Sequence, residues 1–315
     1  MNELLDNYAT IPIAPAGFKS GFIGIVGRTN VGKSTLMNQL VGQKIAITSP
    51  VSQTTRNRLQ GILTTEQAQM IFVDTPGIHK PHHELGKVLV KNARSAINSV
   101  DVLLFIIDSS LPAGGGDRYV VELLDKTETP IIFGFNKIDQ QPENEQEAEA
   151  LDRTYHALAL EKTWPVVKFS ALTGEGLDQL QSLILECLED GPYYYPPDLV
   201  TDQPERFIMG ELIREQILLK TRQEIPHSVA IAIEKVEETP TLTRVYAAIT
   251  VERTSQKGIL IGKQGTMLKE IGTAAREQIQ KLIAGDVFLK LFVKVEPQWR
   301  QSRQQLSEFG YRLDE

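Results

Sequence analysis

The chain has 315 residues, with 33 Lys+Arg against 40 Asp+Glu, a net charge of −7 and 41% apolar residues. That length suggests about two domains, and a charged fraction of 23% excludes wholesale disorder. No uninterrupted run of about 18 apolar residues occurs, which excludes a membrane-spanning helix, and an acidic start with Glu3 and Asp6 is unlike a signal or transit peptide.

The first apolar run, 22–26, reads as a buried strand, and a helix follows over 33–40. Between them stands Gly27-Arg28-Thr29-Asn30-Val31-Gly32-Lys33-Ser34, which fits G-x-x-x-x-G-K-[ST] in the strand-to-helix context that the pattern requires. The physics is that of a phosphate cradle. Loop N–H groups and the helix N-terminus point at the anion, and glycine lets the backbone come close. Lys33 supplies charge to the β- and γ-phosphates, and Ser34 a hydroxyl to Mg²⁺. An antiparallel strand near 57–63 precedes the strand 70–73. Asp74-Thr75-Pro76-Gly77 ends that strand, where a carboxylate can hold Mg²⁺ and the Gly77 N–H can meet the γ-phosphate. The segment 79–83 (HKPHH) has three histidines, but it falls in a loop with no supporting carboxylate or cysteine pattern, so no structural metal site is expected there.

Residues 84–99 place Leu85, Val88, Leu89, Ala93, Ala96 and Ile97 on one helical face. Strands follow at 102–108, 131–136 and 166–170, then a helix at 177–188 carrying Cys187, the only cysteine, read as buried filler. Asn136-Lys137-Ile138-Asp139 closes the strand 131–136. A carboxylate there can accept hydrogen bonds from guanine N1–H and the 2-amino group, a donor pair that adenine lacks. The β-α alternation gives an α/β domain with a mostly parallel sheet over 18–190. Residues 1–17 are an extension. Residues 191–203, with GPYYYPPD, form a linker whose tyrosines are read as packing.

Residues 204–297 read as helix, two strands, helix, strand: 207–219, 228–236, 244–252, 267–284 and 287–295. Gly262-Lys263-Gln264-Gly265 fits the G-x-x-G loop with which KH domains clamp a nucleic-acid backbone. Lys257 and Lys263 bring local positive charge, and Ile259, Leu260 and Ile261, which follow Gly258, offer an apolar groove for bases. Lys269 and Arg276 lie farther along the following helix, and Gly258 and Lys269 count in the RNA surface. An initial helix makes the arrangement type II. Residues 201–315 hold 17 Lys+Arg and 16 Asp+Glu, so any nucleic-acid site must be a local cluster. In the tail, 298–315, Trp299 either stacks on RNA beside Arg300 and Arg303 or caps the domain core.

The set GRTNVGKS, DTPG, NKID and Ser170-Ala171-Leu172 resembles the Ras-like, translation-factor-related GTPases over 18–190. Joined to a type II KH unit, and with QTTR at 53–56, DTPGIHK at 74–80, PERFIMGELIRE at 204–215 and IPHSV at 225–229, the chain resembles the Era family of bacterial ribosome-assembly GTPases. That resemblance implies a nucleotide site drawing on residues 27–34 and Thr35, on Asp74, Thr75, Pro76, Gly77 and Ile78, on Asn136, Lys137, Ile138 and Asp139, and on Ser170, Ala171 and Leu172. It implies that Asn136 and Asp139 read guanine, Lys137 lies along the ring, and the backbone near Ala171 meets O6. Ser34, Asp74 and Thr55 are the implied Mg²⁺ ligands, with Thr54 the alternative to Thr55. It further implies GTP hydrolysis controlling RNA binding at the 3′ end of small-subunit ribosomal RNA, a role in 30S maturation, and peripheral membrane association. The single cysteine points to a reducing, cytoplasmic compartment, and a monomer is expected. One departure matters. Ras-type enzymes carry a water-orienting glutamine after DxxG, whereas this chain has Ile78, so slow intrinsic turnover is expected. Asn30 is a candidate K⁺ ligand that would make turnover K⁺-stimulated, or else it merely stabilises the loop. Two rival readings are a GTP-driven RNA-modifying enzyme and a passive RNA binder with structural nucleotide.

Overall fold

The computed structural model describes residues 11–49, 59–74, 99–159, 162–221, 225, 228–283, 285–302 and 305. Residues 84–98 of the expected helix at 84–99, both candidate threonines Thr54 and Thr55, and 75–83 lie outside the described residues. The chain divides into two compact units, Met1–Ala46 with Thr55–Asp202, and Ile47–Thr54 with Gln203–Glu315.

In the first unit, β1 (Lys19–Val26), β2 (Leu59–Thr64), β3 (Ala68–Asp74), β4 (Val102–Asp108), β5 (Ile131–Asn136) and β6 (Val166–Lys168) form one sheet in the order β2-β3-β1-β4-β5-β6. Only the β2–β3 pair is antiparallel. Every residue of β3, β4 and β5 is buried, which explains their nearly continuous Ile, Val, Leu and Phe. Its helices among the described residues are α1 (Lys33–Val41), α2 (Gly115–Leu124), α3 (Glu145–Leu158) and α4 (Leu177–Cys187). Phe105 and Phe133 stack with centroids 4.9 Å apart, in a core shared with Val120, Leu124 and Tyr155. The buried Tyr155 hydroxyl donates to the Asp108 carbonyl at 2.9 Å, so no polar group is stranded there. Cys187 is half-buried rather than buried. Burial and the adjacent Glu186 push its thiol up, away from nucleophile chemistry.

The linker is tied down within this unit. The buried Gln69 side chain accepts the Tyr194 and Tyr195 N–H groups at 2.8 and 3.0 Å and donates to the Tyr195 carbonyl at 2.9 Å. Phe18 packs on Tyr193 and Phe22 on Tyr194, with centroids 4.3 and 5.2 Å apart, so the tyrosines do pack.

In the second unit, α5 (Glu205–Lys220), β7 (Ala230–Glu238), β8 (Leu242–Val251), α6 (Thr254–Ile261), α7 (Thr266–Ile279) and β9 (Asp286–Val295) form a helical layer on a sheet of order β7-β8-β9. Strand β7 runs antiparallel to β8, and β9 parallel to it. The sequence reading missed α6. Because 254–261 is helical, Leu260 is fully buried and cannot line a groove for bases, while Ile259 on the same helix is 50% exposed. Trp299 resolves to the core-capping role. It is 1% exposed and its Nε1–H donates to the Ser228 carbonyl at 3.2 Å. Arg300 pairs with Glu252. The buried Glu215 of α5 accepts the Thr48 N–H at 2.8 Å and its hydroxyl at 3.4 Å, which seats Thr48 in this unit.

Candidate nucleotide and nucleic-acid sites

The phosphate loop is shaped by its own backbone and one asparagine. Asn30 adopts a left-handed φ of 64°, a conformation asparagine tolerates better than most residues. Gly32 has φ 103°, and a Cβ there would lie 2.3 Å from the Asn136 amide nitrogen. That nitrogen donates to the Val31 carbonyl at 2.7 Å, while the Asn136 amide oxygen accepts the Ala171 N–H at 2.8 Å. One buried side chain therefore joins the phosphate loop, the end of β5 and the loop after β6. These are three of the separate segments that the sequence motifs named.

Lys33 is buried, and its ammonium donates to the Arg28 carbonyl at 2.7 Å and the Gly27 carbonyl at 3.2 Å. Burial lowers its pKa to about 8, against the opposing pull of the Asp74 carboxylate. Such a cation gains when phosphate supplies negative charge. Nucleotide binding should raise this pKa and draw up to about one proton from solution between pH 8 and 10, so affinity should fall up to about tenfold per pH unit above 8. Titration calorimetry in two buffers of different ionisation enthalpy checks this, and identical heats in both would contradict it.

The Ser34 hydroxyl donates to Asp74 Oδ2 at 3.1 Å, so an alcohol and a buried carboxylate stand side by side beneath the loop. This hard-oxygen pair fits Mg²⁺. Thr35 follows on the first turn of α1 and is half-buried. Arg28 Nε donates at 2.7 Å to Asp117, whose buried carboxylate also accepts the Gly114 N–H at 2.9 Å. This pairing bolts the loop, where Thr29 is half-buried, to the N-terminus of α2. The two partners are 89 residues apart and carry no local sequence signal.

On the base side, Lys137 sits at φ 68° and its ammonium pairs with Asp108. Ile138 and Asp139 follow in a short 3₁₀ turn, Ile138–Gln140, that leaves the Asp139 carboxylate exposed. Ser170 is buried and its hydroxyl accepts the Thr173 N–H at 3.1 Å. Ala171 is buried, and Leu172 is 67% exposed. Thr75, Pro76, Gly77 and Ile78 lie outside the described residues, as does Thr55.

In the second unit, Gly262 has φ 72°, and a Cβ there would come within 2.7 Å of Met267 Cβ. The left-handed Gln264 and Gly265 then turn the chain into α7. Lys263, Gln264, Lys269 and Gly258 are exposed, while Lys257 and Ile261 are half-buried. The loop thus presents backbone and lysine charge to solvent at the start of a helix, a combination suited to a phosphodiester.

A 50S ribosome-binding GTPase family model matches residues 22–137, and a KH domain model matches 224–300. The chain is 76% identical over 314 residues to GTPase Era of Rippkaea orientalis, covering 100% of this chain and 98% of the relative. It is 48% identical to GTPase Era of Leuconostoc citreum, covering 95% and 98%. Among solved structures, it is similar to Era in complex with MgGDPNP and nucleotides 1506–1542 of 16S ribosomal RNA, with a TM-score of 0.87, 37% identity, and 93% and 99% of the two chains covered. A tyrosine-to-alanine variant of Aquifex aeolicus Era bound to GDP·AlF4⁻ gives the same figures.

Proposed function

Since the chain belongs to the Era family of GTPases, we propose that it binds and hydrolyses GTP as a switch. The triphosphate state favours binding of the KH unit to the 3′ end of small-subunit ribosomal RNA, and the protein assists 30S subunit maturation. The observation that carries this reading is the likeness, over 93% of the chain, to an Era structure holding both a GTP analogue with magnesium and that RNA end.

The residues take the following roles. The N–H groups of 27–34 and the Lys33 ammonium hold the phosphates. Ser34 and Asp74, with Thr55, hold Mg²⁺, which neutralises charge on the phosphates. Asn136 fixes the loops, and Asp139 reads guanine. Gly77 meets the γ-phosphate. Lys257, Gly258, Ile259, Ile261, Lys263, Gln264, Gly265 and Lys269 with Gly262 contact RNA. We place residues 18–190 as the GTPase domain, 204–297 as the KH domain, and the protein in the cytoplasm as a monomer, with peripheral association at the inner membrane. Among the described residues no helix is long and apolar enough to cross a membrane.

Titrating an RNA of the 16S 3′ end into the empty, diphosphate and triphosphate-analogue forms tests the switch. The analogue form should bind tightest, and equal affinities in all three would overturn it. Asn30, exposed at the loop tip in its left-handed conformation, is the proposed K⁺ ligand that compensates for Ile78. Turnover should be faster in KCl than in NaCl at equal ionic strength, and Asn30→Ala should abolish the difference. Equal rates in the two salts would remove K⁺ from the mechanism.

A further inference from the structure

The KH unit has a second chemically distinctive surface. Among the described residues its sheet is covered on one face only. Gly272 of α7 sits against Leu291 of β9, and Gly210 of α5 against Ile231 and Ile233 of β7, so the odd positions of β9 and these two of β7 face the helices. A bulge between Ile233 and Lys235 turns Lys235 and Glu237 to the opposite face beside Tyr246 and Arg244. The even positions of β9 face the other way and read Asp286, Phe288, Lys290, Phe292, Lys294. Register places Arg244 beside Phe288 and Tyr246 beside Lys290 on the same face. Two phenyl rings are left in solvent, Phe288 at 47% and Phe292 at 37% exposure. Each would gain by burial, and they sit on one strand about 13 Å apart at 3.3 Å per residue.

Charge decides what should cover them. The Lys290 ammonium lies 5.3 Å from the Phe292 centroid. Lys294 pairs with Glu234, and Lys235 with Glu237, which also lies in the field of Arg244. Asp286 adds a carboxylate at the end of the strand, so four cations meet three carboxylates and the balance is positive by one charge, with Lys290 in neither ion pair. Rings spaced along a strand and interleaved with cations suit a polyanion with flat, stackable bases. A purely apolar partner would have to bury Lys290 and Arg244.

We propose that this open sheet face is a second single-stranded RNA surface, on which bases stack against Phe288 and Phe292 while Lys290 and Arg244 meet phosphates. The proposal rests on the RNA-binding reading of the KH unit but uses none of the residues of the glycine clamp.

The test is fluorescence anisotropy on the full chain with two labelled RNAs. One has about six nucleotides, enough for a clamp that holds roughly four, and one about 20. The variant Phe288→Ala/Phe292→Ala removes only exposed rings. It should weaken the longer RNA by about tenfold or more and the short one by less than about twofold. Phe288→Tyr/Phe292→Tyr keeps the ring faces and should restore the longer RNA. Unchanged binding of the longer RNA would overturn the proposal, as would a loss that the tyrosine pair does not restore. So would a loss of self-association in light scattering with RNA affinity intact, which would make the face a contact between copies. Lys263→Glu is the separate control. If the short RNA ignores it, the clamp reading fails while the sheet-face result stands by itself.

Discussion

Lys33→Ala is expected to lower GTP affinity by at least about 100-fold, since charge-assisted hydrogen bonds to phosphate contribute roughly 1.5–3 kcal/mol each. The fold should survive. Lys33 is a buried cation whose pKa is already lowered to about 8, so its charged form is disfavoured before any ligand arrives. Removing it leaves the Gly27 and Arg28 carbonyls short of a donor but also removes a desolvated ammonium. Thermal melting of the empty variant should therefore stay close to that of the parent, while equilibrium titration with a fluorescent GTP analogue shows the loss. An unchanged affinity would take the phosphates away from this loop. The proton drawn in by nucleotide above pH 8 should also vanish in this variant.

Asp139→Asn is expected to exchange base preference. The carboxylate accepts from two guanine donors, whereas an amide presents one donor and one acceptor. Guanine's 2-amino group then faces another donor, but xanthine's 2-oxo group finds a partner. GTP binding should weaken by about 100-fold or more, and XTP should become the better ligand, because a mispaired polar group in such a site costs several kcal/mol. Asp139 is exposed on its turn, so the substitution leaves the core untouched. Competition between GTP and XTP for the parent and the variant measures the switch. Retained guanine preference in the variant would displace Asp139 from base reading.

What could be read from the sequence follows the physics of each element. Strands β3, β4 and β5 are buried along their whole length, so their apolar runs announce them. The loops between them could be placed because phosphate and base chemistry demand particular residue types at strand ends. The helices α2 and α3 gave little signal. The first opens on a run of glycines, and the second buries only Asp152 and Tyr155 among 14 residues. Helix α6 was hidden for another reason. Its Gly258 and the three branched residues before the G-x-x-G look like loop and groove, yet packing turns Leu260 inward. The Arg28–Asp117 and Asn136–Val31 contacts join residues far apart in sequence, which only the tertiary fold brings together. The motif located Asn136, but not its bracing of two loops at once.

The seat of Thr48 on Glu215 bears on how this protein can be dissected. A gene fragment ending at the linker would encode the first unit intact in sequence, yet it would strip Thr48 of its carboxylate partner Glu215. The truncated protein should show a new protease-sensitive site in this stretch that the whole chain lacks. Kinetic constants measured on such a fragment would describe a GTPase with one loop unmoored.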